Sequence, residues 1–230
     1  MQPMDTAAAS WKFGHRGRVA IFIDGNNLFH AARFNNIDID YNKLLRVLLG
    51  DGRLLRAFFY TGVDVFAERQ QGFLLWMRRN GFRVVQKELK TFYDGTRKAN
   101  LDGEIAVDML SLAGRYDTAV LVSGDEDFVY AINAVAYKGC RVEIAGFRSN
   151  TAPRLIDVAD YFIDLGEIAE LIKKDASQTG EYEIPSYSPI DEAHELREAH
   201  NSNLAGQNSG DLEPSSDTEK HPFIRIRDDR

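Results

Sequence analysis

RVAIFIDGNN, residues 18–27, decides how the chain is read. Val19, Ala20, Ile21, Phe22 and Ile23 are apolar without interruption and run directly into Asp24, Gly25, Asn26 and Asn27. A short apolar run bounded by turn formers is the pattern of a strand buried on both faces, as at the centre of a parallel sheet. In open α/β sheets ligands bind beyond the carboxyl ends of the strands, and this strand ends in an acid, a glycine and two amides. Taken alone, Asp24 is explained as the N-cap of the next helix, a role in which Asp and Asn are ordinary. The pattern returns, however, in AVLVSGDEDF, residues 119–128, where another apolar run ends in small residues and then Asp125 and Asp127.

Around these two stretches the periodicity switches regularly between strand and helix. Strands are predicted over residues 54–60, 82–86, 118–122, 141–145 and 161–163. Helices are predicted over 26–33, 41–49, 64–80, 102–115, 127–138, 152–158 and 167–173, with Gly81 at a helix C-cap position. Residues 87–100 are basic and polar without a clean period. The alternation predicts an α/β fold: a mostly parallel central sheet with helices on both faces. Thr61-Gly62 reads as the close of the second strand.

Charge divides the chain. Residues 17–174 carry 21 basic and 21 acidic side chains, whereas residues 175–230 carry 5 and 13, so the net charge of −7 belongs to the C-terminal segment. That segment is dominated by Ser, Gln, Asn, Glu, Asp, Gly and Pro and is expected to be mostly disordered, because it cannot bury enough apolar surface to offset its ordering entropy. Its last residues, HPFIRIRDDR, are more apolar and suit docking on a protein partner. Three regions are therefore expected: a flexible leader over 1–16, a folded domain over 17–174 and an acidic tail over 175–230. No apolar run approaches a membrane span, and the leader lacks the basic-then-apolar pattern of a signal peptide. A single cysteine, Cys140, rules out an internal disulfide and a multi-cysteine zinc site. A cytoplasmic protein is expected, and a homo-oligomer is compatible with the sequence.

The acids carry the chemistry. Two strands side by side would bring Asp24, Asp125 and Asp127 to one edge of the sheet. Asp108 lies in IAVDML, an apolar helical turn where a carboxylate is costly unless paired or ligating a cation. Asp102, near the start of that helix, can point to the same edge. Gathered carboxylates repel one another and raise each other's pKa. A divalent cation removes the conflict, and oxygen-only ligation suits Mg²⁺ or Mn²⁺. Asn26, Asn27 and Ser123 offer neutral polar groups around such a centre. The alternative is that these acids cap and turn the chain, and for any one of them it is competitive. An aspartate-nucleophile phosphatase would place a second acid two residues after Asp24, where Asn26 stands.

IDGNN (residues 23–27), KANLDGEIAVDML (98–110) and LVSGDEDF (121–128) occur in the order in which they resemble the NYN domain, and within it the LabA-like group. The resemblance covers residues 18–165. It implies a PIN-like nuclease fold and a ribonuclease dependent on Mg or Mn. Asp24 matches the acid after the first strand, Asp108 the helical acid, Asp125 the acid after the fourth strand with Asp127 as its companion, and Asp102 a further acid of the LabA-like group. It implies Asp24, Asp108, Asp125 and Asp127 as catalytic residues and, with Asp102, as metal ligands. Some LabA-like proteins are regulators rather than enzymes, so a non-catalytic regulatory or RNA-binding protein is the alternative.

RNA as partner has independent support in composition. Arg78, Arg79, Arg83, Lys87, Lys90, Arg97 and Lys98 are opposed between them only by Glu88 and Asp94, with Phe92 and Tyr93 interleaved. Aromatics among cations suit a single strand through stacking and phosphate contact. Arg78 and Arg79 read as a solvated helix end, Lys98 as a phosphate contact beside the acidic helix. His30 and Cys140 are read as structural.

Overall fold

A computed structural model describes residues 15–64, 67–91, 93 and 97–175. Residues 1–14 and 176–230, where the leader and most of the acidic tail were expected, lie outside the described residues, as do Phe92 and Asp94.

The predicted central strand forms β1 (Arg18–Asp24), with residues 19–23 fully buried. It is followed by α1 (Gly25–Phe34), α2 (Tyr41–Leu49), β2 (Arg53–Val63), α3 (Glu68–Arg79) and β3 (Phe82–Glu88). A small antiparallel ribbon, β4 (Lys90–Thr91) with β5 (Arg97–Lys98), precedes α4 (Asp102–Leu112). Then come β6 (Thr118–Val122), a 3₁₀ turn Glu126–Phe128, α5 (Val129–Ala136) and β7 (Arg141–Gly146). The described chain closes with a 3₁₀ turn Arg148–Asn150, α6 (Pro153–Asp157), β8 (Tyr161–Asp164) and α7 (Ala169–Ile172). The main sheet has six strands in the order β3-β2-β1-β6-β7-β8, and every neighbouring pair is parallel.

The chain thus builds outward from β1 to β3, crosses back over β1, and builds outward again through β6, β7 and β8. The reversal leaves a crevice between the carboxyl ends of β1 and β6, the place where doubly wound sheets bind ligands. Side chains alternating along β1 divide the core. Val19, Ile21 and Ile23 pack with Leu28, Leu44, Leu48, Leu74, Met77 and Ile172, so α1, α2, α3 and α7 cover one face. Ala20 and Phe22 pack with Ile105, Met109, Ile132, Val135 and Leu155, so α4, α5 and α6 cover the other. Burying a strand on both faces removes all of its side chains from water, which is why its sequence is apolar without alternation.

Element boundaries differ from expectation in informative places. β2 runs through Thr61-Gly62 to Val63, because Gly62 serves close approach rather than a turn. A Cβ there would stand 2.7 Å from the Leu89 side chain and 3.1 Å from Ala99. The basic segment over 87–100 is not irregular throughout: β3 extends to Glu88 and the β4–β5 ribbon follows. Asn80 caps α3, and Gly81, at φ 91°, takes the next position, in the conformation that only glycine adopts cheaply. After α7, the Lys174 ammonium meets Asp38 at 2.9 Å and the Lys43 ammonium meets Asp175 at 2.7 Å, tying the end of the described chain to the start of α2.

Candidate active site

Strand register brings the two acidic motifs together. Ile23 pairs with Val122, so Asp24 and Ser123 are the next residues on adjacent strands. Ser123 Oγ donates to Asp24 Oδ2 at 3.3 Å, and the Asn27 backbone N–H donates to Asp24 Oδ1 at 3.1 Å. Asp24 is therefore both the N-cap of α1 and a carboxylate in the crevice. Asn27 reaches across, its Oδ1 accepting the Gly124 N–H at 2.9 Å. The Gly124 carbonyl accepts from the Ala152 N–H at 2.9 Å. Ser123 Oγ accepts the Asp125 N–H at 3.2 Å, and Asp125 Oδ1 accepts the Asp127 N–H at 3.0 Å.

Two glycines make this closeness achievable. A Cβ on Gly25 would lie 2.7 Å from the Tyr60 carbonyl oxygen, and one on Gly124 would lie 2.0 Å from the Asn150 carbonyl oxygen. The turn that carries Asp125 is thus pressed between α1 and the loop after β7. Its conformation is set by neighbours on both sides.

Asp102 arrives from the first turn of α4. Asn100 orients it twice: Asn100 Nδ2 donates to Asp102 Oδ2 at 2.7 Å, and Asn100 Oδ1 accepts the Asp102 N–H at 2.9 Å. Carboxylate oxygens of Asp102, Asp125 and Asp127 all lie within 4.8 Å of one another. Burial, and then the charges of Asp125, Asp127 and Glu104, raise the Asp102 pKa against the lowering effect of Asn100. Asp24 responds more strongly. Burial pushes it up to about 6, and the charges of Asp102 and Asp125 add to that, while the Asn27 N–H and the Ser123 hydroxyl oppose it. Several carboxylates in one crevice, one of them costly to ionise, form an arrangement that a divalent cation would relieve. The donors are all hard oxygens. Hard oxygens are the donors that Mg²⁺ and Mn²⁺ take, so the chemistry of this donor set fits such an ion.

Asp108 is placed differently from the other acids. It lies six residues beyond Asp102, about 9 Å along the helix and a third of a turn round. The Tyr60 hydroxyl donates to Asp108 Oδ2 at 2.9 Å. Tyr60 is in register with Asp24 on the neighbouring strand, so Asp108 is linked to the crevice through this ring rather than joined to the group of three. Burial and the adjacent Asp108 charge push the Tyr60 hydroxyl pKa up, which keeps it a donor. Asn26, expected at the substrate, accepts from Thr61 Oγ1 at 3.4 Å, and Asn27 is occupied in holding Gly124.

Tyr60, Asn100, Gly124 and Ala152 were not singled out from the sequence. Asn100, two residues ahead of Asp102, carried a local signal as a turn former. The roles of Tyr60 and Ala152 depend on which elements lie side by side and have no local signature.

The basic segment is partly spent inside the protein. The Lys87 ammonium bonds Glu104 at 2.7 Å, Arg78 bonds Gln86 at 2.7 Å, and Arg97 pairs with Asp64. The Lys87 hydrogen bond holds the Glu104 carboxyl below its ordinary range. Lys98 is exposed on β5, and its neighbour Ala99 packs at Gly62, beside Asn26. Tyr93 is fully exposed. Cys140 is buried, its thiol directed at the Tyr116 carbonyl oxygen at 3.7 Å. Among the described residues no helix is long and apolar enough to cross a membrane.

Comparison with known proteins agrees with this architecture. The sequence model of the NYN domain family matches residues 18–168. The chain is 36% identical over 165 residues to the low amplitude and bright protein LabA of Synechococcus elongatus, a match covering 68% of this chain and 88% of that one. It also superposes on the crystal structure of a protein of unknown function from Vibrio parahaemolyticus with a TM-score of 0.62 and 27% identity. That likeness covers 70% of this chain and 98% of the other.

Proposed function

The chain belongs to the NYN domain family, and on that premise we propose that it is a ribonuclease that works with Mg²⁺ or Mn²⁺ held by Asp102, Asp125, Asp127 and Asp24. The observation that carries this reading is the convergence of three carboxylates within 4.8 Å at the crevice between β1 and β6, beside an Asp24 whose ionisation is disfavoured. A divalent ion in such a place acidifies a water and neutralises charge on a phosphodiester.

The residues of the chain set the stage for that chemistry. Asp24 is held at the floor by Ser123 and the Asn27 N–H, so its orientation is independent of substrate. Asp125 and Asp127 share one hydrogen-bonded turn. Asp102 is aimed by Asn100. Asp108 is a positioning residue in this reading: it holds the hydroxyl of the buried Tyr60, which is in register with Asp24 on the neighbouring strand. Lys98 and the β4–β5 ribbon, on the Asn26 side of the crevice, supply phosphate contacts that carry no base preference.

The second reading is a regulatory or RNA-binding protein without turnover. The engagement of Asp108 by Tyr60, outside the group of three acids, favours it. One experiment separates the two. Labelled single-stranded and structured RNAs are incubated with the protein in Mg²⁺ or Mn²⁺, with and without chelator, beside Asp125→Asn. Cation-dependent cleavage lost in the variant supports the nuclease. Binding with no cleavage in either cation assigns the protein to the second reading.

A further inference from the structure

The helix that follows the acidic turn presents an aromatic stripe to solvent. α5 buries Ala131, Ile132 and Val135 on the sheet side, whereas Tyr130 is 85% exposed and Tyr137, its C-cap residue, 88%. Seven residues at 100° each return to nearly the same azimuth, so the two tyrosines stand one above the other about 10 Å apart along the axis. Asn133 lies between them on the same stripe. Glu126, Asp127, Val129, Tyr130, Asn133 and Arg154 line an open groove of about 590 Å³. Arg154 pairs with Glu126 at 2.6 Å and offsets its charge. A single exposed tyrosine needs no explanation. Here the lip of the groove is Asp127, which belongs to the acid cluster, so whatever lies along the stripe leads to the crevice.

We propose that Tyr130, Asn133 and Tyr137 form the track along which a single RNA strand leaves the acid cluster, its unpaired bases stacking on the two rings. The proposal rests on the ribonuclease reading and adds to it the form of the substrate and its path. The chemistry of the stripe suits this occupant. A base is a flat apolar plate with a polar rim, which matches a ring, an amide and a second ring. Exposed tyrosines with polar neighbours also serve protein interfaces; what selects RNA here is that the groove ends at Asp127, a member of the acid cluster. A duplex keeps its bases stacked about 3.4 Å apart and out of reach of side chains, whereas rings about 10 Å apart take bases that have been splayed.

The test uses the full chain and a fluorescent single-stranded RNA of about 12 nucleotides, long enough to run from the crevice along the helix. The matching RNA duplex is the control. Anisotropy is read in EDTA and again in Mg²⁺ at early times. Tyr130→Ala and Tyr137→Ala are each expected to weaken single-strand binding about 5- to 150-fold, the range for loss of one base–aromatic stack. Tyr130→Phe keeps the ring and is expected to bind as wild type does. Duplex binding is expected to be unchanged throughout. Both tyrosines are exposed, so the substitutions leave the core intact. A double Ala variant that binds the single strand within twofold of wild type overturns the track and leaves the nuclease reading standing. A double variant that changes only self-association, with RNA binding intact, assigns the stripe to a protein contact instead. A wild type that binds no RNA in either condition removes the nuclease reading and the track together.

Discussion

Asp24→Asn isolates the electrostatic cost built into the crevice. The Asp24 pKa stands at about 6 against an ordinary 3.8, with burial the main cause and the Asp102 and Asp125 charges adding to it. A carboxyl whose folded pKa is raised binds its proton more tightly in the folded state. Below pH 4 it is protonated folded and unfolded alike and costs nothing. Between pH 4 and 6 the unfolded chain ionises first, and stability falls as pH rises. Above pH 6 the cost is complete, about 2 pH units or ~3 kcal/mol at ~1.4 kcal/mol per unit. Asparagine removes the charge and retains the oxygen that caps α1, Asn being as good an N-cap as Asp. The variant is therefore expected to match wild type near pH 4 and to exceed it by up to ~3 kcal/mol at pH 7 in EDTA. Urea unfolding from pH 4 to 8, with the midpoint read at constant slope, measures the difference directly. With Mg²⁺ at a hundred times its dissociation constant, wild type would gain ~2.7 kcal/mol and the gap would nearly close. A difference that does not vary with pH, or a variant less stable than wild type at pH 7, refutes the reasoning, because burial of an ionised Asp24 would then carry no net cost.

Other consequences are equally accessible. Mn²⁺ is expected to raise the melting temperature of wild type and to raise that of Asp125→Asn far less, since a ligand that binds only the folded site stabilises it; equal shifts would remove Asp125 from the centre. Gly124→Ala would drive a methyl into the Asn150 carbonyl, 2.0 Å away, and is expected to lower stability by ~1–3 kcal/mol and to reduce any cleavage by displacing Asp125. Differential scanning calorimetry and an RNA cleavage assay read the two effects, and a neutral outcome in both would show that the turn yields freely. Arg16→Ala removes two hydrogen bonds to the buried carboxylate of Glu143, leaving it to Arg141; a loss of ~2–3 kcal/mol is expected in urea, and a loss below 0.5 would mean that water replaces the guanidinium. Lys98→Ala should weaken RNA binding about equally across sequences and flatten its salt dependence by about one unit of slope, as loss of one phosphate contact does.

The division between chain and fold is clearest along β1. Its uninterrupted apolar run could be satisfied only by cover on both faces, so a central strand follows from residues 18–27, and the alternation of strands and helices along the chain adds the α/β class. The same local logic placed acids after two strands, because turn formers and helix caps are written into neighbouring residues. Gly62 shows where local logic stops. A glycine reads as a turn unless the side chains opposite it are known, and Leu89 and Ala99 come from the link after β3 and the loop after β5. Asp108 and Asp102 show it again. Both are acids of one helix, but their separation by a third of a turn sends one to Tyr60 and the other to Asp125 and Asp127. Sequence by itself determined which residues would be acidic, apolar or free to turn. Only tertiary structure decided which of the acids would meet, because meeting depends on strand order, on the azimuth of α4 and on the crossing of the chain over β1. Those are properties of packed elements, and no short window of residues contains them.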